Sequence, residues 1–315
     1  MAIDLHWCKI SASGLLQFDG PDARPFLQGQ LTNNVQALSA SRGQYSGYCT
    51  AKGRLLACLL LWQPAQRDDA CVMMLPRELC EPIRKRLSMY VLRAKVKVAD
   101  ISAEQVCFGV AGADAAAWIA ARGGVPAADH DVIHRDGITI LKLPVNRYLM
   151  VTPAALAATM EAALTQTIAA APEALWSMLD IEAGIATVVA ATQEQFVPQM
   201  VNFDFIGAVS FDKGCYPGQE IVARTHYLGK PKQRMVRALI SSPDAPDGPL
   251  PGDKLYSSIF GDQASGTIVN AVASDGHHHH VLAVVQTSSI DGADVHWKTV
   301  DGPALKIAAL PYAIK

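Results

Sequence analysis

The sequence predicts an α+β fold that ends in a small β-barrel, and three observations predict it. Strand-like and helix-spaced runs are mixed along the first two-thirds of the chain, with a short hairpin among them. After Arg234 the helical spacing stops, and short β-rich runs follow one another, divided by turn residues such as Pro249-Leu250-Pro251-Gly252-Asp253. Finally, 315 residues, 50% of them hydrophobic, suffice for two or three domains of roughly 100 to 200 residues each, with cores that need no disulfide or metal staple.

Each element follows from its own residues. Residues 15–18 read as a strand. Gly20-Pro21 reads as a helix start with proline at the first helical position, and Phe26, Leu27, Gln30 and Leu31 follow at helical spacing. Residues 45–50 and 54–62 read as a hairpin with Ala51-Lys52-Gly53 at its bend. Residues 71–75 form a strand, and Leu79, Ile83 and Leu87 place a helix over 78–90. Further strands are expected at 96–101, 138–143 and 148–151, and helices at 154–170 and 175–183. The late β-rich runs are 235–240, 254–257, 267–273, 281–286 and 304–309, so a domain boundary is placed near residue 236.

Charge and cysteine usage exclude several function classes. The formal net charge is −2, without the basic excess of a protein built on a nucleic-acid backbone, so direct nucleic-acid binding is not expected. The first residues lack a basic segment followed by an apolar one, and the most apolar run, 55–62, is too short to cross a bilayer. A cytoplasmic protein without membrane association is expected. The seven cysteines are odd in number and form no CxxC pair, which argues against a disulfide framework and against a zinc or iron–sulfur ligand set. Most lie in apolar runs, as in Ala57-Cys58-Leu59-Leu60, and read as small buried hydrophobes.

Two basic groupings stand out: Arg84, Lys85, Arg86, Arg93, Lys95 and Lys97, and then Arg224, Lys230, Lys232, Arg234 and Arg237. Either could meet a polyglutamate tail or RNA phosphates, but a solvated charged face is the plainer reading. The run His277 to His280 sits where a hairpin tip would enter a strand. Alternating side chains there point to opposite faces, so the four are not expected to converge on a metal.

The densest stretch for chemistry is Lys213-Gly214-Cys215-Tyr216-Pro217-Gly218-Gln219-Glu220. Two glycines and a proline shape an irregular loop, and Gln219-Glu220-Ile221-Val222 reads as a helix start. Cys215 lies in that loop close to Lys213, and a neighbouring cation stabilises the reactive thiolate. A loop thiol without chemistry is the alternative.

This octapeptide resembles the signature of the YgfZ family of folate-binding proteins, relatives of the glycine-cleavage aminomethyltransferase. The resemblance extends through Phe26-Leu27-Gln28-Gly29-Gln30-Leu31-Thr32-Asn33-Asn34, Asp180-Ile181-Glu182-Ala183-Gly184-Ile185, Gln195-Phe196-Val197-Pro198-Gln199-Met200-Val201-Asn202-Phe203-Asp204 and the closing Leu310-Pro311-Tyr312, in family order. It implies an aminomethyltransferase-like folate-binding fold with two interleaved α+β subdomains over 1–235 and a β-barrel domain over 236–315. It implies tetrahydrofolate or a derivative as cofactor, with Trp176 and Glu182 as its contacts. It implies a part in iron–sulfur cluster assembly or repair and, through that, tRNA modification, with iron–sulfur proteins or assembly factors as partners. One family tryptophan near the N-terminus falls at about Ser13 here.

Two other activities can be weighed. An aminomethyltransferase would carry an acidic pair on the strand after the first hairpin bend, where this chain has Ala57-Cys58, so no carboxylate assists proton transfer there. A cysteine hydrolase would need a base for Cys215, and His226 is the candidate nearby in sequence.

Overall fold

The computed structural model describes residues 4–229, 231–242, 248–292 and 294–314. The chain divides into two compact units, one of residues 1–46 and 59–176, the other of residues 47–58 and 177–315. The boundary expected near residue 236 lies inside the second unit, within a strand.

Along the first part of the chain run β1 (His6–Ile10), β2 (Ser13–Asp19), α1 (Ala23–Gln28), β3 (Gln44–Cys49), β4 (Leu55–Trp62), β5 (Ala70–Pro76), α2 (Arg77–Val91) and β6 (Lys97–Asp100). Their five-stranded sheet has the order β3-β4-β5-β2-β6. Every residue of β4 and β5 is buried, which is why their sequences read as continuous apolar runs instead of alternating ones. Helix α2 buries Leu79, Ile83 and Leu87, the stripe read from the sequence, and Cys80 beside them. The first helix starts later than expected. Gly20 to Asp22 make a turn in which the Ala23 N–H donates to the Gly20 carbonyl, so Pro21 precedes the helix and does not open it.

The next stretch holds β7 (Gln105–Ala111), α3 (Ala115–Ala120), β8 (Val132–Arg135), β9 (Ile138–Leu143), β10 (Arg147–Pro153), α4 (Ala154–Thr165) and β11 (Ala169–Ala170). With β1 they form a sheet of order β11-β1-β7-β10-β9-β8. Trp7, Phe108, Trp118, Tyr148, Met150 and Leu164 fill its core. The helix expected to reach residue 170 ends at Thr165, because Ala169 and Ala170 leave it to pair with β1.

After α5 (Glu173–Glu182) and α6 (Gln219–Leu228), the chain builds β12 (Gln233–Ser241), β13 (Lys254–Tyr256), β14 (Gly266–Ala273), β15 (His278–Gln286), α7 (Thr287–Asp291), β16 (His296–Trp297) and β17 (Leu305–Ala308). These strands form an antiparallel sheet of order β16-β13-β14-β15-β12-β17. It curls toward closure. Near its two ends the Leu305 N–H donates to the Val295 carbonyl at 2.8 Å, and the Trp297 N–H to the Pro303 carbonyl at 2.9 Å. Val236, Ile240, Leu255, Ile268, Val281 and Trp297 fill it. Mixed helices and strands followed by a small, curled C-terminal β-sheet agree with the α+β class and the barrel-like end expected.

Candidate functional site

The signature loop is placed by the hairpin bend between β3 and β4. In that bend the Thr50 N–H donates to the Arg54 carbonyl at 2.8 Å and the Gly53 N–H to the Thr50 carbonyl at 2.9 Å. The segment before the loop clasps the same hairpin. The Leu55 N–H donates to the Phe196 carbonyl, the Glu194 N–H to the Leu55 carbonyl, and Arg54 Nη1 to the Gln195 carbonyl at 2.6 Å. Gly53 and Gly218 then meet backbone to backbone. A Cβ on Gly218 would lie 2.5 Å from the Gly53 Cα and from the Thr50 carbonyl oxygen, and both glycines have positive φ, +69° and +81°. Gly218 caps α6, whose first turn is Gln219 and Glu220, so the acidic side chain meets the positive end of the helix.

Within the loop Lys213 is 9% exposed, and its ammonium lies 4.9 Å from the centroid of the Tyr216 ring. Burial pulls its amine down to about 8, against the opposing influence of Cys215. Tyr216 is buried too, and burial, helped by Cys49, raises its phenol well above its ordinary range. Cys215 is exposed, whereas Cys8, Cys49, Cys58, Cys71, Cys80 and Cys107 are buried free thiols. Gly214 stands in open space. His226 does not reach Cys215 by any hydrogen bond among the described residues. Its ring stacks on Phe211, centroids 3.6 Å apart and planes 13° from parallel.

Ala57 and Cys58 lie buried in β4. Burial pushes the Cys58 thiol up to about 12, with a backbone contact from Val188 acting the other way, so it is neutral near pH 7. Cys49 is raised by burial and by Cys58.

Glu182, at the end of α5 in the second unit, is half-buried. Its carboxylate accepts from Arg237 Nη1 of β12 and faces His280 Nδ1 of β15 at 3.3 Å. Arg237 Nε is buried with no hydrogen-bond partner among the described residues. Neither Arg237 nor His280 was singled out with Glu182 in the sequence, because β12 and β15 bring them there from 55 and 98 positions away. The histidine run splits as strand alternation requires: His278 pairs with Asp275 and His280 with Glu182, while His279 meets Ser242 Oγ.

Trp176 belongs to the first unit and is buried there. Its ring packs on Gly109, where a Cβ would come within 2.3 Å of the tryptophan Cε3. The fully buried Arg147 guanidinium sits 4.9 Å from the ring centroid, and Arg147 Nη1 donates to the Trp176 carbonyl at 3.4 Å.

Side chains in and beside the block before the signature are tied into the fold. Arg234 is held in a two-pronged pair by Asp204, both bonds 2.8 Å, and its guanidinium lies over Phe205. Gln199 Nε2 donates to the Val222 carbonyl, and Asn202 Nδ2 to the Met235 carbonyl. Lys230 of the expected basic group lies outside the described residues. No helix among the described residues is long and apolar enough to cross a membrane.

No family model matches the chain. The "tRNA-modifying protein YgfZ" of Sodalis glossinidius is 33% identical over 309 residues, 95% of this chain and 90% of that protein. The protein of the same description from Escherichia coli strain SMS-3-5 is 30% identical over 306 residues, 96% of this chain and 91% of its own. Among solved structures, the glycine cleavage system aminomethyltransferase T of Bartonella henselae aligns over 98% of this chain and 86% of its own, with a TM-score of 0.78 at 17% identity. With relatives this similar along nearly their whole length, the chain belongs to the YgfZ family.

Proposed function

We propose that the protein binds tetrahydrofolate or a derivative and acts in the cytoplasm in iron–sulfur cluster assembly or repair, and through it in tRNA modification. The relatives named for tRNA modification support the last part, and the fold shared with an aminomethyltransferase supports the first. Iron–sulfur proteins or assembly factors are the proposed partners.

The observation that carries the folate reading is the Glu182–Arg237 pair. A pterin edge presents N–H donors beside a carbonyl acceptor. The Glu182 carboxylate keeps lone pairs beyond those used by Arg237 and His280, and Arg237 Nε is a buried donor in want of an acceptor. Together they offer the acceptor and donor that such an edge needs. Trp176 is proposed separately as an aromatic contact, through whatever part of its ring the packing on Gly109 leaves open. Cys215 is the proposed functional thiol, with Lys213, Gly214, Tyr216, Gly218, Gln219 and Glu220 shaping its loop.

Titration with tetrahydrofolate, followed by tryptophan fluorescence, tests this. Binding in the micromolar range is expected, about −8 kcal/mol. Glu182→Gln removes the charged acceptor and should weaken it about tenfold or more. Unchanged binding by Glu182→Gln and by Trp176→Ala would remove both contacts from the proposal.

A further inference from the structure

The second unit contains an open cleft of about 660 Å³ that neither Glu182 nor the signature loop accounts for. Its apolar wall is Val197, Met200, Ile221 and Pro231. Arg224 and Lys232 stand exposed at its edge, and Gln233 and Gln286, directly opposed on β12 and β15, add amide groups. Among the described residues no carboxylate lines it.

The basic grouping seen in the sequence divides at this cleft. Arg234 is neutralised by Asp204 and Arg237 by Glu182. Arg224 and Lys232 have no ion-pair partner among the described residues, and both face the cleft. Unpaired cations over an apolar wall, with amides alongside, match a chain that repeats carboxylate, methylene and amide. A single-stranded nucleic acid would use the cations, but among the described residues no aromatic ring on which bases could stack lines the cleft.

We propose that this cleft holds an oligo-γ-glutamyl chain, the polyanionic tail of a cellular folate. Its carboxylates meet Arg224 and Lys232, its methylenes lie on Val197, Met200 and Ile221, and its amides meet Gln233 and Gln286. The proposal rests on the folate reading above for the identity of the tail, and its test separates the two.

Three probes are titrated into the parent and the Arg224→Gln, Lys232→Gln double variant at low and high salt: tetrahydrofolate monoglutamate, its pentaglutamate, and the free penta-γ-glutamate chain. The parent should bind the pentaglutamate about tenfold more tightly than the monoglutamate, and salt should erode that gain. The double variant should bind the monoglutamate as the parent does, with the gain reduced to less than about twofold. Both changed side chains are exposed, so circular dichroism should show an unaltered fold. Should the monoglutamate fail to bind at all, the folate reading falls, and the free chain alone decides the cleft: binding to the parent but not to the variant upholds it. A gain that survives in the double variant overturns the proposal, as does a parent with no gain and no affinity for the free chain. Oligouridylate that outcompetes the free chain in an Arg224- and Lys232-dependent way also overturns it, in favour of nucleic acid.

Discussion

Cys215 and Lys213 are two residues apart and have opposite environments, the thiol exposed and the amine buried. The exposed thiol is the one whose exchange for serine removes little packing. Cys215→Ser should cost about 1 kcal/mol of stability or less, yet serine stays protonated where a thiolate would form. The expected outcome is a folded, folate-binding variant that fails to restore iron–sulfur enzyme activity in cells lacking the family member. Full restoration would leave Cys215 without a chemical role. Lys213 predicts a pH dependence. Its amine titrates near 8 in the folded chain, against 10.5 for an ordinary lysine. Below pH 8 both states are protonated and the folded state carries the burial penalty in full. Between 8 and 10.5 the unfolded chain holds more protons, so stability rises with pH on account of this group. Lys213→Met should therefore be more stable than the parent near pH 7, with the advantage shrinking as pH rises through that window. Urea unfolding at a series of pH values checks this, and an advantage independent of pH would assign it to packing alone.

At the scale of elements, two glycines join the β3–β4 bend to the signature loop. Gly218→Ala places a Cβ 2.5 Å from backbone atoms that cannot swing aside and forces alanine to a φ near +81°. It should destabilise by about 2 kcal/mol or more. Gly214, four residues earlier, has open space and no positive φ, so Gly214→Ala should stay within about 0.5 kcal/mol. Equal losses from the two, measured by denaturant midpoint, would contradict the backbone contact. The octapeptide marked Gly218 as a loop residue, but its partner Gly53 lies 165 positions away, and no local pattern joins them. The same holds for Glu182, a folate contact by resemblance alone, to which β12 and β15 bring Arg237 and His280 from far along the chain.

For the whole molecule, likeness of fold to an aminomethyltransferase does not carry the activity, because chemistry belongs to the side chains mounted on the fold. With Ala57 and the neutral thiol of Cys58 buried in β4, aminomethylated carrier protein and tetrahydrofolate should yield no methylenetetrahydrofolate and ammonia above background. Turnover of about 1 per second or more would contradict this. The sequence by itself determined the α+β class, the β-rich end, most strand and helix positions, and the signature loop, since these follow from periodicity, turn residues and a contiguous motif. It left out β1, β7, β8, β11, β16, α3 and α7, because runs of two to seven residues carry too little periodicity to separate strand from helix. Only the tertiary structure decided which basic residues are already paired and which carboxylate neighbours an unsatisfied donor. Those properties depend on burial and on partners far apart in the chain, and neither is encoded in local spacing.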